Sequence, residues 1–179
     1  MQYKCVCNII TRRHGAALGI GGRRPLRLNA KMSPWARRKM AMQFLYAMNF
    51  LHKHGVCHRD LSYGNVLIHT YDDGAFAVKV SDFGLAKERN SDLTSTGSSM
   101  KGSIEDPALK SFKDFKPVND IYSIGFILNY IFTGRRDLLA DGSRLGFIIQ
   151  KCSTTNSADR YQTVKGIIED MRKTECPVG

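Results

Sequence analysis

The sequence predicts a mainly α-helical unit that carries one small β-hairpin. Three observations predict it. Ser33 to Gly55 has the apolar spacing of an amphipathic helix. Two short β-branched runs flank Asp73-Gly74. Asn119–Phe132 is of helix length and apolar nearly all round.

Taken in order, residues 1–31 show no clear period, and Gly15, Gly19, Gly21 and Gly22 interrupt any helix there. From Ser33 the character changes. Ser33 is a capping residue, Pro34 fits a first turn, and Ala41, Phe44, Leu45, Met48 and Leu51 fall on one face before Gly55. A polar loop, His58–Asn65, follows. Val66-Leu67-Ile68 and Ala77–Val80 read as two strands joined at Asp73-Gly74, a hairpin-turn pair. Residues 84–106 are rich in Ser, Thr and Gly and are expected to form a long loop. Asn119–Phe132 is expected at the centre of a core, with further helices over Leu145–Cys152 and Tyr161–Met171. The last places Val164, Ile167, Ile168 and Met171 on one face.

At 179 residues, 42% hydrophobic and 24% charged, the composition fits one globular domain and excludes wholesale disorder. The longest apolar stretch is broken by Ser123 and Asn129 and is too short to span a bilayer, so no membrane partner is expected. Residues 1–31 carry seven basic residues (Lys4, Arg12, Arg13, Arg23, Arg24, Arg27 and Lys31) and no acid, a large share of the net +11. The remainder is only mildly basic, and nucleic acid is not an expected partner. The five cysteines (Cys5, Cys7, Cys57, Cys152 and Cys176) are odd in number and scattered, which points to reduced thiols in a cytoplasmic setting.

The chemistry-bearing segment is His58-Arg59-Asp60-Leu61-Ser62-Tyr63-Gly64-Asn65, which fits H-R-D-L-x-x-x-N. Asp82-Phe83-Gly84 fits D-F-G, with the strand pair between them. In this the sequence resembles the eukaryotic-like protein kinases, from Ser33 to about Lys173, the part that forms their helical C-terminal lobe. The expected division is therefore a basic segment, 1–32, outside the kinase pattern, and a C-terminal kinase lobe, 33–175, with the N-terminal β lobe absent.

The resemblance implies transfer of the ATP γ-phosphate to a protein Ser/Thr hydroxyl, with ATP and Mg²⁺ as cofactors and a protein as substrate. Asp60 is then the catalytic base, and Asn65 and Asp82 hold the metal, as hard oxygen ligands suit Mg²⁺. Leu67 is placed beneath the adenine, His58 against Phe83, and Asp120 between the catalytic loop and the central helix. Arg59 is expected to face a phosphorylated activation-loop residue, for which Ser91, Thr94, Ser95, Thr96, Ser98 and Ser99 are candidates.

Three departures from the pattern stand out. Ser62 replaces the usual lysine two residues after Asp60, removing a charge beside the transferred phosphate. Gly102-Ser103 resembles the Gly-Thr step of Ser/Thr kinases. The A-P-E position reads Asp106-Pro107-Ala108, so Arg160, which matches the buried family arginine, faces an alanine. Glu105 or Asp106 is the expected substitute, unless Arg160 simply lies exposed at a helix start. The Arg135–Arg144 segment, where many kinases carry a substrate-docking helix, is short. Ahead of His58 there is no V-A-I-K lysine, no acid and no acceptable phosphate loop, because Gly19–Arg24 lacks the last glycine of G-x-G-x-x-G.

The chain alone is therefore expected to be inactive, with an apolar patch around Leu67 and Phe83 exposed to a missing lobe or a partner. Residues 1–31 read as out-of-frame translation, with an organellar presequence or a basic arm as alternatives. A non-catalytic kinase-like binding module and a small-molecule phosphotransferase are the competing functions.

Overall fold

The computed structural model describes residues 24–25, 32–72, 74–83, 87–88 and 104–174. Cys5, Cys7, Cys176, Asp73, Gly84, Gly102-Ser103 and the Ser/Thr candidates 91–99 lie outside the described residues, as does all of the basic segment except Arg24, Pro25 and Met32.

Helix α1 spans Pro34–Lys53. The Ser33 hydroxyl accepts from the Ala36 N–H at 3.3 Å, and the helix ends before Gly55, whose φ of 75° only glycine adopts without strain. Its Met40, Ala41, Phe44, Leu45, Met48 and Leu51 are buried at helical spacing. Helix α2, Pro117–Thr133, is the centre of the core. Ile121, Ile124, Ile127, Leu128 and Ile131 are all fully buried, so no face of it is polar along its length. Helix α3, Arg144–Ser153, packs on α2 so closely that a Cβ on Gly125 would stand 2.8 Å from the Cys152 Cβ. Helix α4, Val164–Arg172, packs on α1 and α3 with Val164, Ile167, Ile168 and Met171 buried. It begins three residues later than the periodicity predicts, because Thr163 caps it and its hydroxyl accepts from the Gly166 N–H at 3.2 Å. Among the described residues no helix is long and apolar enough to cross a membrane.

The strands flank the functional loop. Strand β1 (Arg24–Pro25), β2 (Val56–Cys57), β3 (Val66–Thr70), β4 (Phe76–Val80) and β5 (Lys87–Glu88) form two antiparallel sheets, ordered β1-β3-β4 and β2-β5. The two strands pair as a hairpin, Val66 opposite Val80 and Thr70 opposite Phe76, and the Tyr71 N–H donates to the Ala75 carbonyl at 2.8 Å to close it one residue wider than a two-residue turn at Asp73-Gly74.

Two elements depart from expectation. The stretch read as aperiodic supplies β1, with Arg24 opposite Ile68 and Pro25 opposite Leu67. The stretch read as a continuous loop supplies β5, with Lys87 opposite Cys57. Both are two-residue edge strands, where backbone pairing needs no side-chain alternation, and Pro is tolerated at an edge.

Candidate active site

The loop between β2 and β3 carries His58 to Asn65, and the end of β4 delivers Ser81, Asp82 and Phe83 beside it. Arg59 and Asp82 both have left-handed backbones, with φ of 70° and 62°. Such a conformation costs an arginine on the order of 1 kcal/mol and persists only where its surroundings hold it.

Asp120 holds the Arg59 backbone. It is 1% exposed in the first turn of α2. One carboxylate oxygen accepts from the His58 N–H at 2.8 Å and lies 2.9 Å from His52 Nε2. The other accepts from the Arg59 N–H at 3.0 Å. The Arg59 guanidinium lies over the rings of Phe112 and Phe115, 4.8 and 5.7 Å from their centroids. Burial pushes it below its ordinary value, against the opposing effects of Cys57 and Asp120.

His58 is fully buried and spans the two halves of the site. Its Nδ1 accepts from the Asp60 N–H at 3.3 Å, so Nε2 is the protonated nitrogen and donates to the Ser81 carbonyl at 2.9 Å. Its ring lies 4.9 Å from that of Phe83. With both nitrogens engaged, His58 has no lone pair to offer a substrate.

Asn65 completes the link. Its amide nitrogen donates to the Asp60 carbonyl at 2.7 Å and to the Asp60 carboxylate at 3.3 Å. Its own carbonyl accepts from the Ser81 N–H at 2.8 Å and from the Ser81 hydroxyl at 3.2 Å. Since the amide nitrogen faces Asp60, the Asn65 side-chain oxygen is turned away from it and is available as a ligand. Asp82 follows Ser81 directly and is exposed.

The loop thus brings Asp60, Asn65 and Asp82 into one region. Among the described residues no three His, Cys, Asp or Glu side chains converge on a metal position. The oxygen set here is the Asp82 carboxylate with the Asn65 carboxamide. That set fits Mg²⁺, which takes one or two protein oxygens and keeps its remaining places for water and phosphate.

Ser62 is half-buried, and its carbonyl accepts from the Asn65 N–H at 3.2 Å, closing the turn. Leu67 and Phe83 are half-buried, not exposed as the sequence suggests. Leu67 lies in the middle strand of the β1-β3-β4 sheet, and Phe83 is backed by His58. Among the described residues the exposed large apolar side chains are instead Trp35, Tyr46, Tyr71 and Phe147.

Arg160 is 3% exposed, which removes the reading of a surface residue, and its carboxylate partner is Asp106, not Glu105. Two guanidinium nitrogens donate to the two Asp106 oxygens at 2.5 and 2.7 Å. The remaining N–H groups reach the carbonyls of Thr154, Val118 and Thr155. Desolvation pushes the Asp106 carboxyl up, but hydrogen bonds from Arg160, the Ala108 N–H and Asn119 outweigh it and hold the group below the usual carboxylate range.

Three contacts were not legible in the sequence: His52 on Asp120, the Tyr63–Tyr130 ring pair, and buried Asn129, which bonds the 135–139 segment. Each joins residues whose local pattern is ordinary.

A model of the protein kinase domain matches residues 23–172. The tyrosine-protein kinase Srms of Homo sapiens is 38% identical over 95 residues, which is 52% of this chain and 19% of that protein. A probable serine/threonine-protein kinase, PknB of Lactococcus lactis, is 33% identical over 109 residues, 60% of this chain and 17% of that protein. The crystal structure of the Mycobacterium tuberculosis PknI kinase domain superposes with a TM-score of 0.60 at 20% identity, covering 82% of this chain and 58% of that one. At that identity the likeness shows the fold. The chain spans less than a fifth of these two curated relatives and under two thirds of the solved domain.

Proposed function

The chain belongs to the protein kinase domain family, and from that premise we propose that residues 33–175 act as the C-terminal catalytic lobe of a serine/threonine protein kinase. The observation that carries the reading is the coupling of Asp60 to Asn65 and, through Ser81, to Asp82. Asp60 orients the acceptor hydroxyl of a protein substrate and takes its proton. Asn65 keeps Asp60 in place through its amide and offers its oxygen to Mg²⁺ together with Asp82. When bound, Mg²⁺ supplies the charge that neutralises the phosphates of ATP. Asp120 and His58 touch no substrate; they hold the loop in its left-handed geometry.

The preference for Ser/Thr follows the Gly102-Ser103 step and the names of relatives such as PknB. Activity requires the nucleotide-clamping residues, which residues 33–175 do not supply. A non-catalytic kinase-like module is the second reading, favoured by the uncharged Ser62.

Calorimetric titration with Mg²⁺ alone tests the assignment, since it needs no nucleotide clamp. The parent is expected to bind Mg²⁺, Asp82→Asn to lose that binding, and Asp60→Asn to keep it. Indistinguishable Mg²⁺ binding in Asp82→Asn and the parent would overturn the metal role and favour the module.

A further inference from the structure

We propose that Arg136, stacked on Tyr63 of the catalytic loop, is a preorganised cationic subsite that selects an acidic residue beside the acceptor hydroxyl of a protein substrate. The proposal rests on the kinase reading above.

Tyr63 stands three residues after Asp60. Its ring packs against that of Tyr130 on α2 with centroids 5.0 Å apart, so it is a half-buried platform on the same loop as the proposed base. The Arg136 guanidinium lies 5.2 Å from the centre of the Tyr63 ring. Arg136 is exposed, and it has no ion-pair partner among the described residues. Its neighbour Arg135 differs, since it is paired with Asp137 at 2.8 Å.

The backbone around Arg136 is fixed from inside the core. Asn129 is fully buried, and its amide donates to the carbonyls of Arg135 at 2.9 Å and Asp137 at 2.8 Å, the two residues that bracket Arg136. Its side-chain oxygen accepts from the Leu139 N–H at 2.9 Å. A buried amide with its hydrogen bonds directed at one loop holds that loop rigidly, because leaving either end unpaired is costly.

A cation fixed by its backbone and its ring platform loses little entropy on meeting a carboxylate. The exposed guanidinium keeps N–H groups directed to solvent, the donors that forked carboxylate recognition uses. The surface around Arg136 therefore favours acidic sequences over basic ones.

The test uses two fluorescent peptides of equal length with one central Ser, flanked by Glu in one and by Lys in the other. Their binding to the full chain is followed by anisotropy. The Glu peptide is expected to bind about fivefold tighter. Arg136→Gln is expected to remove the preference and Arg136→Glu to reverse it. Arg135→Glu, the same change in net charge one residue away, is expected to keep it. Equal loss of preference in Arg135→Glu and Arg136→Glu, or no preference in the parent, would overturn the subsite.

The kinase reading is tested separately by the Mg²⁺ titration of Asp82→Asn against the parent. Charge preference with Mg²⁺ binding unchanged in Asp82→Asn supports the subsite and counts against the kinase reading. Loss of Mg²⁺ binding in Asp82→Asn without charge preference in the parent does the reverse.

Discussion

Asp106 and Asp120 are both buried carboxylates at the N-terminal end of α2, yet they are held by different chemistry. Asp106 is matched by a permanent charge. It receives two hydrogen bonds from Arg160 and others from Asn119 and the Ala108 N–H. Arg160 in turn directs its N–H groups to Asp106 and three carbonyls, and its guanidinium carbon lies over the Tyr122 ring, 4.8 Å from the centre. Among the described residues no arginine side chain bonds Asp120, although the Arg59 guanidinium feels its charge. The partners of Asp120 are two backbone N–H groups and a histidine. The difference teaches what each carboxylate is for. The ion pair joins segments far apart in the chain and, once saturated, is costly to break from either side. The amide-bound carboxylate holds one loop in a conformation it would otherwise leave.

Breaking the ion pair is expected to have the largest effect. Arg160→Met leaves Asp106 buried without its counter-charge and should cost about 4 kcal/mol, read as a fall in the urea midpoint. Asp106→Leu combined with Arg160→Met should recover only part of that loss, since it removes both desolvation costs but leaves the Thr154, Val118 and Thr155 carbonyls and the Ala108 N–H without these partners. The pair also sets an acid limit. The folded-state value of Asp106 lies below the ordinary 3.8, so its contribution is fully present above that value. It is lost as the pH falls through the lower folded-state value. Arg160→Met should flatten this acid limb of the stability profile.

Changing Asp120 to Asn sharpens the comparison. One amide oxygen remains for two N–H groups, so about 2 kcal/mol should be lost. Hydrogen exchange should separate it from the first variant: the His58 and Arg59 amides should open well before the core of α2. If they open only with the core, Asp120 braces the whole lobe and the contrast with Asp106 fails.

The smallest change is Asn119→Ala. It removes one donor from Asp106 and the acceptor of the Lys116 N–H, and leaves the Arg160 fork intact. About 1 kcal/mol is expected in the same denaturation assay. A loss as large as that of Arg160→Met would show that the amide, and not the charge, secures Asp106.

What the sequence revealed and what it hid divide along the same lines. The α1 cap, the two hairpin strands and the all-round apolar α2 are local patterns, and their spacing made them readable. The loop motif marked Asp60, Asn65 and Asp82 because their chemistry is written in short, ordered segments. The partner of Arg160 was narrowed to two acids but not decided, because the pairing spans 54 positions and depends on how 104–110 folds back. His52, Asn129 and the Tyr63–Arg136 stack carry no local signature. Each is an ordinary helix or loop residue until the tertiary fold brings its partner to it. Edge strands β1 and β5 were missed for the converse reason: their pairing is backbone alone.

The tight seam between α2 and α3 has a practical consequence. Cys152 is fully buried there against Gly125, and burial pushes its thiol well above the ordinary range. A thiol-specific label can reach it only in molecules whose seam has parted, so its labelling rate tracks the population of that open state. The native chain thereby carries an internal clock for its own unfolding.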